Sequence, residues 1–367
     1  MANGAIECQR DSVKTAAEDY NAQGASVKLP LIGSLARLRQ VLFCGAFGGF
    51  LLVAPLLATA KEGAYHLPRL PDGQPDFQGS WEHLDAAPLE RQAGINSLVL
   101  TAAEAAQMEA MMAKATEEST TPTDSLDYFN ERRLLPFRGE FHSSIIVEPQ
   151  DGKLPWAPSA KEWQAKARAA VLNGLDGPEQ RPTSERCLGN PAVQPPMVFN
   201  LGTNLHQIVQ TKDTVVFASE WMGNARIIRL NSKHVHAAIT SWLGDSIGWW
   251  EGDTLVVETK NFTPNDSGRI AMPNAFKISS RATVKERFTR VSDKELNYVF
   301  TVDDPDYYSQ TWKGETHFMR TVDQSLEYSC HEGNDSIVYI LRGGRVKDGQ
   351  WPSIEKEMER QSLPRIR

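Results

Sequence analysis

Trp249-Trp250-Glu251-Gly252-Asp253-Thr254-Leu255-Val256-Val257-Glu258-Thr259 is the stretch that decides the fold class. Strand-forming residues flank Glu251-Gly252-Asp253, and a short glycine-bearing turn between two such runs is a hairpin signal. Upstream, Gln207–Thr211 and Thr214–Phe217 flank Lys212-Asp213, and Arg226–Leu230 follows a turn at Met222-Gly223-Asn224. Downstream, Thr283–Val291, Leu296–Val302, Ser309–Thr321 and Leu326–Cys330 continue the series. These runs amount to about eight strands on short loops, a spacing that predicts antiparallel pairing. The expected fold is therefore mainly β, an antiparallel up-and-down barrel of lipocalin-like type with an N-terminal arm and two helices, because closure removes exposed sheet edges. A two-sheet sandwich is the alternative, and the lack of a fixed repeat speaks against a propeller.

The chain before residue 196 reads differently. Pro68, Pro71, Gly73, Pro75, Gly79 and Pro88 leave little regular structure over 61–90, an extended arm. Thr101-Ala102-Ala103-Glu104 and Ser159-Ala160-Lys161-Glu162 are capping boxes, each predicting a helix start, the first helix running to about Ala115 and the second to Asn173-Gly174. A short strand is expected at Ser144–Val147. The predicted organisation is an export segment over 1–60, an arm and helical segment over 61–195, the β domain over 196–345 and a tail over 346–367.

Arg37 and Arg39 precede an uncharged apolar run over 41–57, followed by Ala58-Thr59-Ala60. That order is the one a secretory signal uses; the alternative is a single membrane anchor over 41–60. A periplasmic or secreted destination follows. Of the four cysteines, Cys8 and Cys44 lie in that leading segment while Cys187 and Cys330 remain. Two cysteines in an oxidising compartment are expected to pair, two buried thiols being the other reading. The net charge is −7, and the mixed-sign charges after residue 60 form no basic stripe, which discourages nucleic acid as a partner.

Pro71-Asp72-Gly73-Gln74-Pro75-Asp76-Phe77-Gln78-Gly79-Ser80-Trp81, Pro88-Leu89-Glu90-Arg91, the stretch from Gly244 to Thr259 and Tyr328-Ser329-Cys330-His331-Glu332-Gly333-Asn334 together resemble a group of exported, mostly uncharacterised bacterial proteins. Its members carry a GxWEGDTLVVxTxNF hairpin and a YxCHEGN element. The resemblance spans residues 66–345 and departs from the pattern at Asn231-Ser232-Lys233, where Asp-Gly-Arg is usual. It implies export and attaches no activity.

The densest chemistry lies at His331, Glu332 and Asn334 beside Cys330. If the strand ends at Gly333, His331 can move a proton with Glu332 or Asn334 orienting it; the other reading is a polar cluster tying a strand end to a loop. Glu220 and Arg226 flank a turn and are candidates for a pair across the hairpin, and Asp245 precedes Trp249-Trp250. Trp250 and Tyr328 are candidate walls of a pocket for a ring-bearing molecule, with ordinary core packing as the alternative. His234-x-His236 has a spacing that zinc can use, with His206 or His331 as a conceivable third ligand, but the signal is weak and no metal is expected. No nucleophile elbow, metalloprotease helix, phosphate loop or dinucleotide fingerprint occurs, so no cofactor is expected. The sequence therefore predicts a pocket for a small hydrophobic or ring-bearing molecule. Its use is either cofactor-independent acid/base chemistry of isomerase, hydratase or lyase type, carried by His331, Glu332 and Asp245 with Glu220, Arg226, Trp250, Tyr328 and Asn334 binding, or non-catalytic carriage or sensing.

Overall fold

The computed structural model describes residues 65–117, 133–165, 175–189, 191–198, 204–264, 268–271, 274–351 and 356. The expected export segment, Cys8, Cys44 and the predicted end of the second helix at Asn173-Gly174 lie outside them. The chain divides after Glu62, and Gly63–Arg367 clusters as one compact unit that contains the 195/196 boundary expected from sequence. Among the described residues no helix is long and apolar enough to cross a membrane.

Nine strands close a barrel: β1 (Gly79–Glu82), β5 (Leu205–Gln210), β6 (Thr214–Ser219), β7 (Ala225–Leu230), β8 (Asp245–Glu251), β9 (Thr254–Lys260), β12 (Thr283–Arg290), β13 (Glu295–Asp303) and β14 (Trp312–Thr321), with β14 pairing back onto β1. The short β4 (Ile146–Glu148) pairs with β14 at Lys313 and Gly314, further along the edge that β1 uses. Two small hairpins, β2 (Val99–Leu100) with β3 (Phe141–His142) and β10 (Arg269–Ala271) with β11 (Asn274–Phe276), stand apart from the barrel sheet.

The mainly β barrel holds, but the all-antiparallel expectation does not, because β7 and β8 run parallel. Parity is the reason. Strand directions can alternate all the way round a ring only when the number of strands is even, so nine strands force a like-directed pair. The 231–244 connection carries the chain back along the outside between β7 and β8, the longer link a parallel pair needs. Gly244 ends it at φ +71°, where a Cβ would lie 2.6 Å from Thr259 Cγ2. Only glycine suits both the left-handed backbone and that approach.

The ninth strand comes from the arm. Trp81 of β1 stands opposite His206 of β5 and Arg320 of β14, so the Pro/Gly-rich segment docks as the closing stave. Leu326–Cys330, expected as a strand, is irregular, and Val322, Leu326 and Tyr328 are exposed. Its apolar side chains have no sheet face to enter. The end of the expected β domain instead holds α2 (Ser336–Lys347), which the sequence reading missed. The first capping box is realised at α1 (Ala102–Glu117): the Thr101 amide donates to Glu104 Oε2 at 2.8 Å and the Glu104 amide to Thr101 Oγ1 at 3.3 Å. The second opens with a single 3-10 turn at Pro158–Ala160 and continues as helix to residue 165.

Period-two alternation fills the barrel. Val284, Glu286, Phe288 and Arg290 of β12 point inward, as do Leu296, Tyr298, Phe300 and Val302 of β13, and all eight are buried. Phe288 stacks on Tyr298 at 4.8 Å between centroids, and the Phe300 ring lies across Gly314, where any side chain would collide with it. This part of the interior is packed core rather than a lipocalin-like cup.

Candidate functional site

Below the mouth of the barrel, where β5 begins, β6 ends and β7 begins, the filling turns polar. Arg226 and Glu286, sixty residues apart, form a bidentate pair with Nη1 to Oε1 at 2.9 Å, both side chains at most 1% exposed. Arg226 also donates to Ser246 Oγ at 3.1 Å and Thr259 Oγ1 at 2.9 Å, while the Tyr298 hydroxyl donates to Glu286 Oε1 at 2.8 Å. The Met197 amide donates to the Tyr298 oxygen at 2.8 Å. Burial, then the Glu286 carboxylate, push the Tyr298 phenol well above its ordinary range, so it stays a neutral donor.

His206 and Ser219 sit beside this network. They are direct partners in the β5–β6 register, and each continues the inward-facing set of its strand, with Ile208 and Gln210 on one and Val215 and Phe217 on the other. His206 is fully buried, edge-on to Phe318 at 5.6 Å, and neither ring nitrogen has a hydrogen-bond partner. Ser219 Oγ has none either. Burial, then the charge of Arg226, lower the His206 imidazole to about 3, which keeps it neutral. Native interiors rarely leave such groups unmet, since each costs about 1–3 kcal/mol. Past Ser219, Trp221 Nε1 and Asn224 Oδ1 are likewise buried and unmet.

An irregular strap lies over this turn. The Leu326 amide donates to Glu220 Oε2 at 2.8 Å, and the Tyr328 ring lies 6.0 Å from that of Trp221. The strap is anchored by the Cys187–Cys330 disulfide, with a Cα–Cα distance of 5.8 Å. Asn334 Nδ2 adds contacts to the Glu185 carbonyl at 3.3 Å and to Cys187 Sγ at 3.1 Å. Tyr328, Cys330 and Asn334 line one open cleft of about 410 Å³ with Ser184, Glu185 and Glu327.

The predicted residues thus separate. Arg226 enters the buried layer and Tyr328 and Asn334 the strap, but Arg226 pairs with Glu286, and Glu220 binds the strap backbone instead. His331 and Glu332 are exposed on the strap and their side chains join no polar cluster. Asp245 is on the outer wall, where its carboxylate accepts from Arg229 at 2.7 Å, from the Val235 amide at 3.0 Å and from His234 Nδ1 at 2.8 Å. Burial pushes Asp245 up, but the bonds from His234, Val235 and Arg229 outweigh it and hold the carboxyl below its usual range. His234 Nε2 faces Glu258 at 3.3 Å, so this cluster clasps the 231–244 connection onto the barrel. His236 Nδ1 accepts from the Ala238 amide, and among the described residues no group of three His, Cys, Asp or Glu can hold a metal. Trp250 is at the opposite end, its Nε1 donating to Gln74 Oε1 at 2.9 Å.

The sequence reading missed Glu286, Ser219 and Tyr298, and it raised His206 only as a metal ligand. The signal was alternation. Extending the Ile208/Gln210 set back by two residues reaches His206, and extending Val215/Phe217 forward by two reaches Ser219.

No protein-family model, no curated protein and no solved structure matches this chain.

Proposed function

We propose that the protein is exported and binds a small molecule at the mouth of its barrel, as a carrier or sensor. Its apolar leading segment with Ala58-Thr59-Ala60, its resemblance to exported proteins and its disulfide support an oxidising, extracytoplasmic setting such as the periplasm. The observation that carries the binding reading is the buried His206 and Ser219 pair, three polar atoms with no hydrogen-bond partner in the protein.

Carriage is preferred to acid/base turnover. A base held at about 3 takes up a proton too weakly to serve near neutral pH. His331 is on the surface with neither Glu332 nor Asp245 positioned to orient it. Aromatic groups at the mouth, Phe318 against His206 and Tyr328 against Trp221, favour a ring-bearing molecule.

The test is native mass spectrometry of the exported protein for a retained small molecule, followed by incubation of that molecule with wild type and His206→Phe. Retention by wild type, loss in the variant and an unchanged molecule is the expected result. Chemical conversion by wild type would return the acid/base reading. A protein that arrives empty, and that no compound in a metabolite library stabilises, would sink the binding reading.

A further inference from the structure

We propose that the Cys187–Cys330 bridge is an exchangeable latch, opened by a dithiol that attacks Cys330 from the cleft while Cys187 leaves. It stands apart from the binding reading. The two sulfurs are placed differently. Cys330 is half-buried and lines the open cleft of about 410 Å³ together with Glu327, Tyr328, Ser329 and Asn334, whereas Cys187 is buried and takes no part in that lining. A thiolate entering the cleft meets Cys330, and the sulfur that is attacked decides which one leaves. The leaving side is prepared for this. Asn334 Nδ2 donates to Cys187 Sγ at 3.1 Å, and its second contact, to the Glu185 carbonyl at 3.3 Å, fixes which end of the amide faces the sulfur, because a carbonyl can only accept. A hydrogen bond to the charged form favours it, so this donor stabilises the Cys187 thiolate that forms as the bridge breaks. Cys187 also has φ +57°, a left-handed backbone that residues with a Cβ adopt reluctantly, and opening the bridge frees it to relax.

The chemistry balances in two displacements. A bond forms between the incoming sulfur and Cys330 Sγ as the S–S bond breaks, and Cys187 departs with the electron pair as a thiolate that takes a proton from water. The second thiolate of the dithiol then attacks its own sulfur in the mixed disulfide and releases Cys330 as a thiolate, so the dithiol is oxidised and the cysteine pair reduced by two electrons. What this frees is local. Residues 322–329 are exposed throughout, and beyond the bridge the strap holds the mouth through the Leu326 amide on Glu220 and the Tyr328 ring against Trp221. The α2 helix has its own anchor, where Arg345 donates to the Leu175 carbonyl at 3.0 Å and the Asp176 carbonyl at 2.7 Å.

The experiment uses the folded full chain with its bridge intact, free thiols blocked with N-ethylmaleimide and no denaturant. Glutathione, a monothiol that stops at the mixed disulfide, is added; the mixture is quenched in acid, newly freed thiols are labelled with a heavier maleimide, and peptides are mapped by mass spectrometry. The glutathione adduct is expected on Cys330 and the label on Cys187, at a rate roughly tenfold or more above that of global unfolding measured by hydrogen exchange. Asn334→Ala is expected to slow the reaction by about fivefold, because the leaving thiolate loses its donor. A side chain that merely packed the loop would, on removal, loosen it and speed the reaction. Full reduction with dithiothreitol is expected to quicken hydrogen exchange over 322–335 and to leave β12 and β13 protected. An adduct on Cys187, a reaction no faster than global unfolding, or Asn334→Ala reacting at least as fast as wild type would overturn the latch, and so would loss of protection throughout the barrel on reduction.

Discussion

The two ends of this barrel are closed in opposite ways. At the floor, where the 211–213, 252–253 and 291–294 turns gather, the arm enters and the polar groups it brings to Gln210 and Arg290 are met. The Phe77 amide donates to Gln210 Oε1 at 2.6 Å, Gln210 Nε2 to the Pro75 carbonyl at 3.0 Å and Arg290 Nη1 to the Asp76 carbonyl at 2.7 Å. At the mouth, His206, Ser219, Trp221 and Asn224 keep unmet atoms beneath an exposed strap. A satisfied network is what stability alone selects, and an unsatisfied one marks a place where stability was given up. The floor is structure; the mouth is where the proposed binding is placed.

The largest way to disturb this contrast is to cut the strap. The Cys187–Cys330 bridge spans 143 residues, and on the chain-entropy model its loss in Cys330→Ser costs about 5 kcal/mol. Hydrogen exchange should then quicken over 183–198 and 326–335, while β12 and β13 keep their protection relative to global unfolding; equal loosening of the floor would break the comparison. Next is Glu286→Ala, which strands the Arg226 charge in the core and should cost about 3–5 kcal/mol by urea titration, as breaking a buried pair does. A loss no larger than that of an exposed ion pair would show that water reaches the layer.

The sharpest test sets one residue from each end side by side. Gln210→Ala removes the floor's central amide and should cost about 1–3 kcal/mol, since the Phe77 amide is left unmet. His206→Phe removes orphaned nitrogens beside an aromatic ring, so its cost should stay below about 1 kcal/mol or turn favourable. Equal losses would erase the distinction.

Acid gives the finest resolution. Burial holds His206 at about 3 and His317 at about 4, and His83 well below the ordinary imidazole value of 6.5. Below pH 6.5 the unfolded chain takes protons that these rings refuse, so stability falls as pH drops from about 6.5 towards 4. Asp85, raised by burial to about 7, works the other way: the folded carboxyl keeps a proton that the unfolded one releases, so its contribution is lost as pH rises towards 7. In His206→Phe the acid slope should be shallower by up to about 1.4 kcal/mol per pH unit over that window, read from denaturation midpoints. An unchanged slope would mean that His206 titrates normally.

Much of the wall was legible residue by residue. The Gly252-Asp253 turn marked a hairpin because glycine supplies the left-handed backbone at little cost, and Thr101 with Glu104 marked a helix start because each can meet the other's free amide. Cys187 and Cys330 stood out as the pair left outside the expected export segment, and they are bonded. The strap misled the reading because Leu326 and Tyr328 alternate like a strand, and alternation does not reveal whether a sheet is there to receive it. His331 misled it for a related reason: a dense local cluster of polar residues has chemistry on paper but needs neighbours from elsewhere in the chain.

From sequence alone came the β content, the hairpins, the first helix start and the cysteine partners, all set by interactions within a few residues or by simple elimination. Tertiary structure decided the rest. It made the number of staves odd and so imposed a parallel pair, drew the closing strand from a proline-rich arm, and placed Arg226 against Glu286 and His206 against Ser219. Those choices depend on which distant faces bury each other best when the ring closes, a sum over the whole core that no local pattern encodes.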